Sequence, residues 1–229
     1  MKKLMMLALA LAAAPACNKD TSKKSAPAPS TPTAPAPAPA GQDTVAPAPD
    51  TTVTPPTAAV AIPAGNYDID PGHSALIWRA QHFGAGYTSG WFRDFSGSFV
   101  VDADASKSSI TLSAKVASVD SNLPKRDDHL RSPDFFNAEQ FPTLTFKSSK
   151  VEPAGAVMKV TGELNLHGVT KTITVDVRPI GSGVDPMNST RAGYEARLVI
   201  DRLDYGIAFM PQGVGTKIDL IIAFEGVKQ

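Results

Sequence analysis

The four histidines are the residues of this sequence best suited to metal binding or acid–base chemistry. His73, His82, His129 and His167 lie in separate segments, and none forms a His-x-His or His-Glu-x-x-His spacing. We therefore interpret the set as structural and predict no metal site. His82 is kept as a candidate ligand contact. It shares its strand parity with Trp78, and a neutral imidazole there could donate to a ligand carbonyl or bind a metal.

The run Asp127-Asp128-His129 has the residue types of general acid–base catalysis. Adjacent residues on a helix point in different directions, so these side chains are not expected to converge on one substrate atom. The sequence also lacks the Gly-x-Ser-x-Gly turn that presents a nucleophilic serine. We predict no catalytic residues and expect a protein that is not an enzyme.

The overall charge and the single cysteine exclude further classes. Because 22 basic residues balance 22 acidic ones, the chain lacks the basic excess of a nucleic-acid-binding protein. One cysteine permits no intramolecular disulfide and no cysteine-rich metal site. The position of that cysteine, Cys17, is the informative property.

The N-terminus reads as an export signal. Two lysines precede an uncharged apolar run over residues 4–16, which is too short for a bilayer span of about 20 residues. The run ends in Ala14-Pro15-Ala16, and Cys17 follows. This arrangement resembles a bacterial lipoprotein signal, which implies a signal peptide over 1–16 and lipidation of Cys17. Ordinary cleavage that leaves a free Cys17 thiol is the alternative.

Residues 17–63 are predicted to form a disordered tether. The segment is rich in alanine, proline, threonine and serine, and the chain contains no aromatic residue before Tyr67. Such a composition cannot bury enough apolar area to offset its ordering entropy. Alternating Ala-Pro favours extended polyproline II structure. We expect a membrane-anchored protein of the bacterial cell envelope that faces the periplasm.

Residues 64–229 are predicted to form one all-β domain. Apolar and polar residues alternate with period two over 109–116, 159–164, 172–178, 195–201 and 217–225, which indicates half-buried strands. Further strands are expected at about 66–70, 74–83, 89–102 and 143–151. Turn signals separate the runs, among them Gly181-Ser182-Gly183. The eight or nine strands show no βαβ rhythm, so the sheet is expected to be antiparallel.

A polar insertion interrupts the strands. Residues 122–131 have a helical composition with Pro124 in the first turn, and a second short turn follows at Ser132. Phe135 and Phe136 in this polar setting are expected to plug one end of a barrel or to line its mouth. The strand pattern alone admits either a closed barrel or a two-sheet sandwich.

A set of short motifs decides between these architectures. In their order and spacing they resemble the bacterial YceI-like family, over essentially all of residues 66–227. Residues 210–212, Met-Pro-Gln, are the one stretch without a close counterpart. The motifs are Tyr67-Asp68-Ile69-Asp70-Pro71-Gly72-His73-Ser74, His82-Phe83-Gly84, Gly90-Trp91-Phe92-Arg93-Asp94-Phe95-Ser96-Gly97, Arg126-Asp127-Asp128-His129-Leu130, Asp134-Phe135-Phe136, Phe141-Pro142-Thr143-Leu144-Thr145-Phe146, Gly162-Glu163-Leu164-Asn165-Leu166-His167-Gly168-Val169-Thr170-Lys171, Arg202-Leu203-Asp204-Tyr205-Gly206-Ile207 and Val214-Gly215.

The resemblance implies an antiparallel eight-stranded lipocalin-like barrel whose lumen holds a long-chain isoprenoid-type lipid, either a polyprenyl carrier or a quinone. It also implies an exported envelope protein of a family for which no catalytic reaction is established, and we predict no cofactor apart from a bound isoprenoid lipid or quinone. Each wall residue could equally be ordinary core packing. The predicted ligand-binding residues are Leu76, Trp78, His82, Phe92, Phe99, Ile110, Leu112, Leu130, Phe135, Phe136, Phe146, Leu198, Ile200, Leu220 and Phe224.

Two other functions remain open from the sequence. A small envelope enzyme or redox accessory would use a site built on His82 or His129. A structural module on a stalk would have a filled barrel without a cavity. Arg202 has two interpretations: a head-group contact, or an ion pair with Asp201 or Asp204, which we favour.

Overall fold

Eleven antiparallel strands and one α-helix make up the part of the chain that the computed structural model describes, residues 60–229. The predicted signal peptide, the lipidation of Cys17 and nearly all of the tether lie outside the described residues. The elements are β1 Gly65–Ile69, β2 Ala75–His82, β3 Gly86–Phe92, β4 Phe95–Val101, β5 Ser109–Lys115, β6 Val119–Asp120, α1 Pro124–Arg131, β7 Thr143–Ala154, β8 Val157–Leu166, β9 Val169–Val184, β10 Thr190–Asp201 and β11 Val214–Lys228.

The sheet closes on itself because β1 pairs with both β4 and β11. β1 and β2 follow one another along the same edge of β11, where Ile69 lies opposite Gly226 and Trp78 opposite Leu220. β3 pairs with β2 and β6, while β4 pairs with β1 and β5. β3 and β4 therefore follow one another along one strand position of the barrel, and so do β5 and β6. Counting these three consecutive pairs once each gives eight strands around the barrel, so the predicted architecture is confirmed.

Side-chain alternation places the core inside the barrel. In β10, the side chains of Ala192, Tyr194 and Ala196 are buried, while the residues between them are more exposed. The same alternation in β5 and β8 turns one face of each strand inward. Every second residue of a strand in a closed sheet faces the lumen. The alternation of apolar and polar residues therefore lines the lumen with apolar side chains.

Two sequence-based boundaries are wrong. The strand expected over 89–102 is divided at Arg93 and Asp94, where the chain bends from β3 into β4. The turn expected at 181–183 lies within β9, and the chain reverses instead after Asp185. There the Asp185 carboxylate accepts from the backbone N–H groups of Met187 and Ser189, each at 2.9 Å. These side-chain hydrogen bonds form an Asx turn, which favours a chain reversal at this point.

The predicted helical insertion forms α1 and the turns that follow it. α1 begins at Pro124, as expected for a residue whose missing N–H costs nothing in the first turn. β6 pairs with β3 alone among the described strands, and the insertion packs beside it. Arg131 donates to the carbonyl of Val119 at 3.3 Å, and Val116 N–H donates to Pro142. No helix within residues 60–229 is long and apolar enough to cross a membrane.

Candidate functional site

The barrel interior contains two adjoining apolar cavities. The first has a cavity volume of about 90 Å³ and the second of about 60 Å³. They have four lining residues in common, so they are neighbouring parts of one lumen. These shared residues are Leu76, Leu144, Leu164 and Leu220. Apart from the Arg202 guanidinium and the Trp78 indole N–H, the side chains that line the two cavities are apolar.

A third space of about 190 Å³ lies between the first cavity and exposed residues of the surface, and we call it the mouth. It has Trp78, Ala80, Leu130, Phe135 and Val214 in common with the first cavity. The polar groups of the chain's binding region are concentrated here. The remaining mouth residues are Gln81, His82, Thr88, Arg126, His129, Phe209 and Met210.

Aromatic side chains fill the opposite end of the barrel, which we call the closed end. The Tyr67 ring stacks on Phe99 with centroids 4.8 Å apart, and Phe99 meets Tyr194 and Phe224 edge to face. The Tyr67 hydroxyl donates to the Pro63 carbonyl at 2.7 Å. Burial raises the pKa of Tyr194 to about 12, with a smaller contribution from neighbouring Tyr67. The lumen therefore has one open end and one end closed by stacked rings.

Fourteen of the fifteen predicted wall residues border the two cavities or the mouth, whereas Phe99 lies among the stacked rings of the closed end and borders only a smaller space there. Phe92, Ile200 and Phe136 line the first cavity; Leu112, Phe146 and Leu198 line the second; Leu76 and Leu220 line both. Trp78, Leu130 and Phe135 lie between the first cavity and the mouth, and His82 lines the mouth. Ile110 and Phe224 line the second cavity and a smaller space beside Phe99 at the closed end.

Several lining residues were missing from the sequence-based set, although their positions in the alternation of apolar and polar residues could have identified them. They lie on the apolar faces of β8, β9, β10 and β11 and point the same way as their buried neighbours. These residues are Val160, Leu164, Leu166, Ile173, Val175, Val177, Ala196, Ile218 and Ile222. Phe209 and Met210 carried no comparable signal, because they belong to the irregular connection between β10 and β11.

Arg202 corrects the favoured ion-pair interpretation. Its side chain is 3% exposed and donates to the backbone carbonyls of Ile207, Val214 and Gly215 at 2.6, 2.7 and 3.1 Å. Within the described residues, Asp201 pairs with Lys217 and Asp204 with Lys171. Burial lowers the pKa of the guanidinium, and Asp201 opposes that shift. Arg202 therefore holds the β10–β11 connection against the first cavity.

Two buried side-chain nitrogens have no hydrogen-bond partner within residues 60–229: Trp78 Nε1 and His167 Nε2. The Trp78 side chain is 6% exposed and borders both the first cavity and the mouth. Its indole packs directly over Gly90, where an added Cβ would lie 2.4 Å from Trp78 Cζ2. An unpaired buried donor beside a cavity is a group that a bound ligand could satisfy.

The polar side chains of α1 are engaged by neighbouring side chains. His129 lies 2.9 Å from Asp134, while Asp127 accepts from Ser121 and Asp128 pairs with Arg131. The run Asp127-Asp128-His129 therefore diverges, as expected. The structure brings only His82 and His129 together, at the mouth.

One group of side chains has ligand-like spacing for a cation. Asp70, His73 and Glu225 place their ligand atoms within 4.8 Å of one another. The Arg191 guanidinium already donates to both carboxylates, at 2.8 and 2.7 Å. The positive charge that this group requires is therefore supplied by the chain itself.

Comparison with known proteins gives consistent results in sequence and in structure. The family described as YceI-like domain matches residues 67–226. Protein YceI of Escherichia coli O157:H7 is 38% identical over 169 residues, which cover 72% of this chain and 88% of that protein. The crystal structure of Burkholderia cenocepacia BcnA superposes with a TM-score of 0.64 at 26% identity, covering 69% of this chain and 99% of the other. A polyisoprenoid binding domain from Saccharophagus degradans implicated in plant cell wall breakdown shares the fold, with a TM-score of 0.59 at 16% identity and coverage of 71% and 98%.

Proposed function

The chain belongs to the YceI-like family, and from that premise we propose that its barrel binds one long-chain isoprenoid-type lipid for storage, transport or presentation in the bacterial envelope. The observation that carries the proposal is the apolar lumen, which runs from the polar mouth past Leu76 and Leu220 toward the stacked rings of the closed end. The Saccharophagus domain with this fold, described as polyisoprenoid-binding, supports the same ligand class.

An isoprenoid tail fits the lumen for a simple physical reason. The tail has no hydrogen-bonding groups, so an apolar wall leaves nothing unsatisfied. Burial of apolar surface contributes about 25 cal/mol per Å², so a few hundred Å² supplies several kcal/mol before ordering costs are subtracted.

The head group would then lie at the mouth. Arg126 and His129 line that space, and Trp78, whose indole N–H is unpaired within residues 60–229, lies at its inner border. Arg126 already donates to Ser121 through Nε and Nη2, and His129 lies 2.9 Å from Asp134. A quinone carbonyl or a phosphate oxygen would therefore accept from Arg126 Nη1 or from the Trp78 indole. A small number of polar groups above an apolar pocket is the usual arrangement for orienting a lipid head.

Binding rather than catalysis is the better account of the polar groups. His129 is paired with Asp134, and Asp127 is buried against Ser121, away from the lumen. No serine or threonine side chain lines the two inner cavities within residues 60–229. A structural stalk module would require a filled barrel, and the adjoining cavities argue against that alternative.

We further propose that Cys17 is acylated and that residues 17–63 tether the barrel to a membrane of the envelope. The single cysteine directly follows a small-residue cleavage pattern, and a proline-rich segment separates it from the barrel. Mass measurement of the mature N-terminus tests this proposal. An unmodified Cys17, or an N-terminus elsewhere, would refute it.

The lipid proposal is tested by native mass spectrometry of protein purified gently from a bacterial host. The expected result is a mass excess that organic extraction identifies as a polyprenyl lipid or quinone. A delipidated sample should recover that excess after incubation with a long-chain ubiquinone in detergent. Protein that is folded, free of lipid and unable to take up the quinone would contradict the proposal.

A further inference from the structure

Phe83 and Met210 form an exposed apolar pair beside the mouth, which we call the apolar rim. Their side chains are 62% and 41% exposed. A Cβ added to Gly213 would lie 2.9 Å from Met210 Cε and from Phe83 Cε1, so both side chains pack over this one glycine. The Phe83 N–H donates to the Gly213 carbonyl at 2.7 Å, which fixes the two loops to each other. Met210 itself lines the mouth.

Both rim residues have a backbone conformation that large apolar residues rarely adopt. Phe83 has φ 47° and Met210 has φ 43°, in the left-handed region that glycine and asparagine tolerate best. Strained backbone of this kind is found mainly at functional positions, where the surroundings maintain it. Phe83 and Gly84 form the tight turn between β2 and β3, closed by the Ala85 N–H that donates to the His82 carbonyl, and such a turn requires positive φ. The turn does not require a large apolar side chain, and neither Phe83 nor Met210 is buried in the barrel.

The two loops that carry the rim are free of formal charge. The sequence has no Asp, Glu, Lys or Arg from residue 80 to residue 92, and none from residue 205 to residue 216. The lining of the mouth contains one arginine, Arg126, and no carboxylate. This combination of apolar tips, an uncharged surround and a nearby cation is complementary to a phospholipid surface, whose interior is apolar and whose head groups carry phosphate.

We propose that the apolar rim docks the mouth onto a lipid bilayer. Phe83 and Met210 insert among the head groups, and a lipid cargo passes between bilayer and lumen without exposing its tail to water. The inference rests on the proposed function only for the identity of that cargo. Docking itself is inferred from the apolar rim. Part of the rim, Met210, lies in residues 210–212, the stretch without a close counterpart among the family motifs.

Vesicle flotation tests docking directly. The protein is the chain from position 17 onward carrying Cys17→Ser, so that neither the leader nor an acyl chain can hold it on the membrane. The vesicles are phosphatidylcholine with one part in four phosphatidylglycerol. We expect the parent to float with the vesicles. The double variant Phe83→Asn with Met210→Asn should bind the vesicles at least about tenfold more weakly. Asparagine is chosen because it tolerates left-handed backbone.

A matched control removes the same number of exposed apolar side chains at the closed end. Val184 and Met187 are 66% and 77% exposed and lie at the β9–β10 turn, away from the mouth. The variant Val184→Asn with Met187→Asn should float like the parent. Absence of parent flotation, or an equal loss in both double variants, would overturn the docking proposal. So would a dimer, detected by light scattering, that only the rim variant disrupts, because the rim would then contact a second copy.

The lipid content of the same samples separates this proposal from the proposed function. A rim variant that keeps its bound lipid but exchanges it more slowly with vesicles supports both. Loss of flotation in the rim variant, with no lipid found in any sample, supports docking and contradicts the proposed function. Lipid present in every sample, with flotation unaffected by the rim substitutions, contradicts docking alone.

Discussion

Asp70 and Arg191 lie 121 residues apart in the sequence, and their side chains form a 2.8 Å ion pair at the closed end of the barrel. Arg191 also donates to Glu225 at 2.7 Å and to Asp185 at 2.8 Å. Asp70 directly follows β1, while Arg191 and Glu225 belong to β10 and β11. The network therefore ties together three neighbouring strands at the seam where the first and last strands of the barrel meet.

We predict that this network makes stability depend on acid pH. Hydrogen bonds from Arg191, and then from His73 and the Gly72 N–H, hold the pKa of Asp70 well below its usual range. A carboxyl with a depressed folded-state pKa contributes stability above its unfolded pKa of about 4, and this contribution is lost as pH falls further toward the folded value. Arg191→Gln should therefore lower the thermal midpoint at neutral pH and flatten its decline between about pH 4 and pH 2.

The control for this prediction is Arg178→Gln. Arg178 lies 3.6 Å from Glu195, and both side chains are more than two-fifths exposed. An exposed pair of this kind contributes about 0–1 kcal/mol, so the control should change the midpoint little. Thermal denaturation followed by circular dichroism over a pH series measures both variants. Parallel pH profiles for the parent and Arg191→Gln would show that the network does not contribute in this way.

Gly90 is predicted to be required for the position of the Trp78 indole. A Cβ at residue 90 would lie 2.4 Å from Trp78 Cζ2 and 2.7 Å from the Asp120 carbonyl. Because that carbonyl belongs to the backbone and cannot move aside freely, Gly90→Ala should destabilise the fold by about 1–3 kcal/mol. Gly86→Ala is the matched control on the same strand, since a Cβ there meets no atom within 4 Å. Urea denaturation gives both values, and equal stabilities would contradict the prediction.

The barrel could be predicted because its signals are local. The alternation of apolar and polar residues along β5, β8 and β10 shows which face of each strand is buried. This pattern lies within the sequence of each strand and needs no knowledge of its partners. The bend at Arg93 and the length of β9 could not be predicted, because they depend on pairing with partner strands. The ends of β9 are set by its register with β10, which shifts at Gly193.

The site was predictable to the same extent as the strands that form it. Wall residues such as Leu112 and Phe146 follow from parity, whereas Arg202 and Met210 lie in a connection without periodicity. Arg202 illustrates the difference. Asp201 before it and Asp204 two residues after it suggest an ion pair, but the folded chain brings three backbone carbonyls closer. Contacts of irregular backbone depend on the tertiary structure.

Ala196 provides a way to shorten the lumen. It is 5% exposed and lines the second cavity, toward the closed end, together with Leu198 and Ile222. We expect Ala196→Phe to fill part of that space, so that the protein loses a long-chain ubiquinone but still binds a short-chain analogue in the first cavity. Native mass spectrometry with the two quinones measures the change.

Leu198→Met, which nearly conserves volume, is the control for Ala196→Phe and should retain both quinones. Both variants must melt close to the parent, which excludes an effect of unfolding. Retention of the long chain by Ala196→Phe would contradict an arrangement in which the tail reaches the second cavity.

The unpaired Trp78 N–H leads to a final prediction about the head group. Since Trp78 Nε1 has no partner within residues 60–229, Trp78→Phe removes no hydrogen bond from the free protein. A net hydrogen bond contributes about 1 kcal/mol, so quinone affinity should fall about fivefold if the indole donates to a carbonyl. A prenyl hydrocarbon without a head group, such as squalene, should lose less, because only apolar contact area changes. Competition titrations with the two ligands measure this difference, and equal losses for both would assign Trp78 to the tail rather than to the head.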